Sequence, residues 1–191
     1  MPRVLVLGDS FIRRLRLFLS RDSYHSSVYF KLSLRAFIKW HGVGGRTVCK
    51  TLHLDLNVID SFRPEIVIMQ SGSNDLTDSD PLHVGSAIED FVRLLHDTYG
   101  VRVVCVCQTI MCQGAVVFTR KAKLLTKYLR VVLEPIPYAI FWGHWGVWRP
   151  TQNFYARDGV HLNSFGQEKY YRSLRGAILR SLNLFSTISS C

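Results

Sequence analysis

Short apolar runs alternate with segments of helical periodicity five times along this chain, and that alternation restricts the fold more than any other feature. Residues 3–8 (RVLVLG), 33–40, 65–72 (EIVIMQSG), 101–108 (VRVVCVCQ) and 138–142 (YAIFW) read as strands. Most are apolar throughout rather than apolar on alternate positions, which is the pattern of strands covered on both faces. After the first run, Phe11, Ile12, Leu15, Phe18 and Leu19 recur at helical spacing, with Arg13, Arg14 and Arg21 away from them. Further helices are predicted at 47–60, 81–99, 119–134 and 164–186. Pro81 suits a first helical turn, Gly100 ends the helix it opens, and Pro135 and Pro137 stop the next one. Strand–helix alternation of this kind predicts an α/β fold, a three-layer α/β/α sandwich around a five-stranded parallel sheet. With 191 residues the expectation is one domain over 1–186, followed by a flexible tail at 187–191.

Lys and Arg total 24 against 14 Asp and Glu, a formal charge of +10. Such an excess suits either a basic solvated surface or contact with nucleic acid or an anionic membrane. Five cysteines include Cys105 and Cys107 inside an apolar run and show no zinc-type spacing, so they read as buried free thiols of a reducing compartment, with Cys191 in the tail. No uncharged apolar run is long enough to span a membrane, and no secretory signal is evident. The first turn, GDSFIRRL, lacks the dinucleotide-binding glycine pattern, and no phosphate-loop lysine motif occurs. His25, His41, His53, His83, His96 and His144 are scattered, so no cofactor and no metal is expected.

In open parallel sheets, ligands sit beyond the carboxyl ends of the strands. The polar clusters fall there: Gly8-Asp9-Ser10 after the first strand, Gly42-Val43-Gly44-Gly45 after the second, Gly72-Ser73-Asn74-Asp75 after the third, and Asp158-Gly159-Val160-His161 before the last helix. Ester hydrolysis needs a nucleophile, a base, an orienter for the base, and donors for the oxyanion. Ser10 offers a hydroxyl at a strand-to-helix turn, where the helix N-terminus favours negative charge. His161 can take its proton, and Asp158, three residues earlier, can orient the imidazole in a tight turn. A backbone N–H at Gly45 and the side-chain amide of Asn74 are the candidate oxyanion donors, although Gly42 and Gly44 compete with Gly45 on sequence grounds. Asp75 is expected to hold its loop through backbone N–H groups. Read singly, Ser10 is a helix cap and each other cluster an ordinary turn.

These residues carry a family resemblance. The ordered set Gly8-Asp9-Ser10, Gly45 in GGRT, Gly72-Ser73-Asn74-Asp75, and Asp158 with His161 in DGVHLN resembles the four blocks of the SGNH, or GDSL-like, hydrolases. The resemblance implies a flavodoxin-like three-layer fold, Ser10 as nucleophile, Gly45 and Asn74 in the oxyanion hole, and Asp158 and His161 as orienter and base. The substrates it implies are short-chain, acetyl-type, or lipid acyl esters. The run IKWHGVGGRT and the ending DGVHLNSFGQEKYYRSLRGAI are similar to the esterase domain of first-reading-frame proteins from vertebrate LINE-type retrotransposons. That narrower resemblance implies a cytoplasmic protein of a ribonucleoprotein particle or a membrane surface. It departs from those proteins in showing no coiled coil or separate RNA-binding module.

A second functional class is a module that binds RNA or an anionic membrane, with weak or vestigial esterase activity. Its contacts would be Arg13, Arg14 and Arg21 on the first helix with Lys169, Arg172 and Arg180 on the last, forming one basic face with few acids between while the Ser10 site stays open elsewhere. Arg120, Lys123, Lys127 and Arg130 would form a separate patch on the opposite face. Self-association has no signature in the sequence. Trp142, Trp145 and Trp148, with Tyr138, Phe141, Phe154 and Tyr155, are expected either to wall an acyl pocket, to rest on lipid, or to pack a long loop that includes Pro150.

Overall fold

The computed structural model describes residues 1–21, 28–144 and 153–190. Trp145, Trp148, Pro150, His25 and Cys191 lie outside the described residues. Five strands, β1 (Arg3–Gly8), β2 (Phe37–Gly42), β3 (Ile66–Gln70), β4 (Val103–Cys107) and β5 (Ala139–Trp142), form one parallel sheet in the order β2-β1-β3-β4-β5. The helices are α1 (Ser10–Leu19), α2 (Val48–Leu54), α3 (Leu56–Phe62), α4 (Pro81–Asp97), α5 (Val116–Leu133) and α6 (Ser164–Ser189). The expected α/β/α sandwich with five parallel strands is the observed architecture.

Successive residues of a strand point to opposite faces, and β1 divides its side chains accordingly. Val4 and Val6 enter the core beneath α1 and α6, where they meet Ile12, Leu15, Tyr170 and Leu174. Leu5 and Leu7 enter the core beneath the helices of the other face, with Ile59, Ile88, Phe91, Leu125 and Leu129. Cys105 and Cys107 are buried on the α6 side. α1 and α6 therefore share one face of the sheet and α5 lies on the other, as the family resemblance implies.

Most element ends shift by one to three residues, α5 for example starting at Val116 rather than 119, and three differences have a visible cause or consequence. β2 begins at Phe37 rather than residue 33, because turns over 33–35 carry Leu32 and Ala36 into the core and leave Leu34 almost fully exposed. The helix expected over 47–60 is two helices that meet at Asp55, whose backbone (φ −117°, ψ 0°) leaves helical geometry. Its carboxylate is engaged by Arg46 and His41. The last helix runs through Ser189, so residues 187–189, expected as tail, are its final turn.

The register positions the site. Gly8 pairs with Gly42 on one side and Gln70 on the other, so β1, β2 and β3 end level and their loops emerge side by side. The chain leaves β1 toward β2 and returns to β3 across it, which makes the gap between these loops the topological switch point. A close approach at Gly42 fixes α1 there, since a Cβ on Gly42 would stand 2.4 Å from the backbone nitrogen of Arg13.

Candidate active site

α1 starts on the residue after Asp9. The Asp9 carboxylate caps the helix by accepting the Phe11 N–H at 2.9 Å, while its other oxygen accepts the Ser73 hydroxyl at 2.5 Å. Burial pushes the Asp9 carboxyl up to about 6, against the lowering effect of those two donors. Asp9 thus locks the turn that carries Ser10 to the loop after β3.

Asp158 and His161 share one tight turn. The carboxylate accepts the backbone N–H groups of Val160 and His161 at 3.0 and 2.9 Å, and its second oxygen lies 2.7 Å from His161 Nδ1. The backbone N–H of His161, followed by its ring, holds the Asp158 carboxyl down at about 2. An ionised carboxylate only accepts, so Nδ1 carries the proton and Nε2 presents its lone pair. That lone pair faces Ser10 Oγ at 3.3 Å. Ser10, His161 and Asp158, which lie up to 151 residues apart in sequence, are one hydrogen-bonded chain.

The two candidate oxyanion donors come from adjacent loops. Gly45 has φ +71°, a conformation that strains other residues, and nothing lies within 4 Å of where its Cβ would be. The loop therefore presents bare backbone to open space. Asn74 Nδ2 donates to the Arg46 carbonyl at 2.8 Å. Asp75 accepts the Val48 N–H at 3.0 Å, so it caps α2 in the neighbouring loop instead of bracing only its own. Burial raises its carboxyl above the ordinary range. Ser10, His161, Gly45, Asn74, Gly44 and Ser73 all border one cleft of about 850 Å³. The arrangement joins a hydroxyl, an imidazole and an anionic carboxylate in one hydrogen-bonded chain, with Gly45 and Asn74 on the border of the same cleft.

Three features are missed by sequence reasoning. Buried Asp55 receives Arg46 through Nε at 2.9 Å and a terminal nitrogen at 3.0 Å, and its Oδ1 lies 2.9 Å from His41 Nε2. This cluster ties the Gly45 loop down. The only signal for it is an acid set among apolar residues in LHLDLN, a position where burial demands a partner.

The second is a buried network under the ends of β3 and β5. Gln70 donates through Nε2 to the Gln108 carbonyl, so its oxygen accepts from Tyr170 and from His144 Nε2 at 2.9 Å. Ser173 Oγ accepts the Trp142 N–H and lies 2.8 Å from His144 Nδ1. Burial keeps His144 neutral, and with its one proton on Nε2 for Gln70 its Nδ1 accepts the Ser173 hydroxyl. Burial pushes His144 down to about 3.

The third concerns the aromatic and basic groups. Trp142, Phe154 and Tyr155 pack in or against the α6-side core, and Tyr138 and Phe141 against the other. None borders the cleft, which Phe11, Phe18 and Phe118 line instead. Arg13, Arg14 and Arg21 do not form a face apart from the site, because they line the Ser10 cleft. On α6, Arg172 pairs with Glu168 at 3.8 Å and Lys169 lies 5.5 Å from the Phe165 ring centre.

No protein-family model matches the sequence, and no curated protein matches it. Solved structures do. A GDSL-like lipase from Bacteroides thetaiotaomicron superposes with a TM-score of 0.72 at 14% identity, covering 95% of this chain and 88% of its own. A psychrotrophic esterase from Pseudoalteromonas sp., inhibited by monoethylphosphonate, gives 0.72 at 13% identity, covering 96% and 100%. A carbohydrate esterase of family 3 from Talaromyces cellulolyticus gives 0.73 at 13% identity, covering 96% and 99%. The chain has the fold of the GDSL-like esterases and acylhydrolases. At these identities the likeness is one of fold, and the chemistry rests on the residues in the cleft.

Proposed function

We propose that this protein is a carboxylic ester hydrolase of the GDSL-like type, with Ser10 as nucleophile. The observation that carries the reading is the chain Asp158–His161–Ser10, at 2.7 and 3.3 Å, opening onto the cleft bordered by Gly45 and Asn74. The shared fold with solved esterases supports it.

In this reading His161 Nε2 takes the Ser10 proton as Oγ attacks the ester carbonyl. The oxyanion forms toward the Asn74 amide and the Gly45 N–H, in a region where the α1 N-terminus favours negative charge. Collapse releases the alcohol with the proton from His161 and leaves an acyl group on Ser10. Water, deprotonated by the same His161, releases the acid and restores the hydroxyl. Asp158 stays ionised throughout and stabilises the imidazolium. The acids released are of short-chain, acetyl-type or lipid acyl esters.

The test is covalent. Treatment with a reactive alkylphosphonate should add one phosphonyl group, located to Ser10 by peptide mass spectrometry, and abolish hydrolysis of 4-nitrophenyl acetate. Complete inhibition with the label on another residue would overturn the assignment.

A second reading is a retrotransposon ribonucleoprotein component that contacts RNA or an anionic membrane, working in the cytoplasm in such particles or at membrane surfaces. The observations favouring it are the +10 charge and exposed Arg172 and Arg180 on the face that α1 shares. Phosphate contacts of this kind weaken steeply with salt. Binding of labelled single-stranded RNA and of anionic liposomes by an Arg14→Glu, Lys169→Glu, Arg172→Glu variant should fall and lose salt dependence. Unchanged binding to both would leave the charge as surface solubility alone.

A further inference from the structure

The solvent side of α1 runs directly away from the nucleophile. Ser10 is followed on that side by Arg13, Arg14, Leu17, Phe18 and Arg21, all bordering the same cleft. Spacings of three, four, seven and eight residues place the first four on one stripe of α1, and Arg21 follows just past the Ser20 C-cap. At a rise of about 1.5 Å per residue, the Arg13 and Arg14 backbone stands about 5–6 Å along the axis from Ser10. The Arg13 guanidinium reaches toward the Gly45 loop, since a Cβ on Gly44 would lie 3.7 Å from its Nη1.

These arginines are exposed, and none is in an ion pair among the described residues. Among the described residues, the carboxylate bordering the cleft is that of Asp9, which is buried and already accepts from Ser73 and Phe11. Among the described residues, three cations thus border one cleft that has no exposed acid on its border. Like charges so placed repel one another, and a neutral ester gives no return for that cost. Guanidinium groups bind planar oxyanions through paired, charge-assisted hydrogen bonds. Leu17, 51% exposed, and Phe18 interrupt the arginines with an apolar step, and Phe118 also borders the cleft.

We propose that the ester cleaved at Ser10 carries an anionic group, carboxylate or phosphate, which Arg13 and Arg14 hold beside the reacting carbonyl while an apolar portion lies over Leu17 and Phe18. The inference rests on the esterase reading and adds the substrate class. It makes Arg13 and Arg14 specificity residues of the same site.

The test compares esters that differ only in whether the anion is masked. With the anion on the acyl side, the pair is the mono-4-nitrophenyl ester of adipic acid and its methyl ester. With the anion on the alcohol side, the pair is 4-acetoxybenzoate and its methyl ester. The readout is the ratio of kcat/KM, anionic to masked, which a general loss of turnover does not move. The wild type should show a ratio of at least about tenfold for one pair at low salt, shrinking as salt screens the charges. In Arg13→Gln/Arg14→Gln the ratio should fall toward one. Inhibition of 4-nitrophenyl acetate hydrolysis by inorganic phosphate supports a free small-molecule anion. Inhibition by phosphatidylglycerol vesicles beyond that by phosphatidylcholine vesicles supports a lipid headgroup. A wild-type ratio near one for both pairs, with Ser10-dependent hydrolysis of the masked esters, would overturn this inference and leave the esterase intact. A high ratio that survives in the double variant would overturn the role of the two arginines. No Ser10-dependent hydrolysis of any of these esters would overturn both readings.

Discussion

The side-chain amide of Asn74 donates to the backbone carbonyl of Arg46 at 2.8 Å, joining the loop after β3 to the loop after β2. A carbonyl only accepts, so the atom facing it is the amide nitrogen and the orientation of Asn74 is settled. One N–H is given to Arg46, and in the proposed mechanism the second serves the oxyanion in the cleft that Asn74 borders. The side chain of Arg46 is in turn held by buried Asp55. The bond therefore couples both proposed oxyanion donors, Gly45 and Asn74, to one anchored segment.

Replacing Asn74 by Ala should cut kcat by roughly 10²–10³-fold, the usual cost of one oxyanion donor. Steady-state kinetics on 4-nitrophenyl acetate check this. A rise in KM at unchanged kcat would make Asn74 a substrate-positioning residue instead.

Ser10→Ala should lose activity by orders of magnitude, because the covalent route disappears while the fold is untouched. Circular dichroism beside the rate measurement separates the two effects. Retention of wild-type turnover would remove Ser10 from the mechanism.

Arg46→Met should act on stability and turnover together. Asp55 is buried and would keep only His41 as a side-chain partner. Removing one member of a buried ion pair costs on the order of 3 kcal/mol. Urea unfolding should show a loss of that order, and kcat should fall because the Gly45 loop loses its anchor. Wild-type stability and kcat would mean that the cluster braces nothing.

Two buried groups should bend stability with pH in opposite directions. His144 is held down to about 3 in the fold against an ordinary 6.5. Below pH 6.5 the unfolded chain binds a proton there that the folded chain refuses, so stability falls with pH between 6.5 and 3. Asp9 is raised to about 6 against an ordinary 3.8, so the folded chain binds the extra proton and stability rises as pH falls from 6 to 3.8. Over that shared window the two nearly cancel. Relative to the wild type, Asp9→Asn should therefore lose close to tenfold in folding equilibrium per pH unit on acidification, and His144→Gln should gain a similar amount. Denaturant midpoints at pH 6, 5 and 4 read the difference. Parallel curves for wild type and variants would show that neither group titrates as stated.

The polar clusters of the candidate site were legible because each is local. Gly8-Asp9-Ser10 and Asp158-Gly159-Val160-His161 are single turns whose residues meet within three or four positions. The Asp55 cluster was not, since Asp55 meets Arg46 and His41 from 9 and 14 residues away, across a helix that the apolar periodicity reads as continuous. The Gln70–His144–Ser173 network joins residues 74 and 29 positions apart and has no periodic signature at all. Tryptophan and tyrosine suit a core, an acyl wall or a lipid surface equally well by composition, so Trp142, Phe154 and Tyr155 could be assigned only by their neighbours.

By itself the sequence determined the parallel sheet, the turn that bears Ser10, and the sheet end at which the other polar clusters gather. Those follow from the periodicity of apolar burial and from short-range turn chemistry, both written within a few residues. Only the tertiary structure decided that His161 reaches Ser10 across 151 residues, that Asn74 is fixed by the Arg46 carbonyl, and that Arg13, Arg14 and Arg21 border the cleft instead of an outer face. A helical wheel tells which side of α1 avoids the core. What stands opposite that side depends on the register of β1 with β2 and β3 and on where the Gly45 and His161 loops come to rest, and these are set by packing between segments distant in the chain.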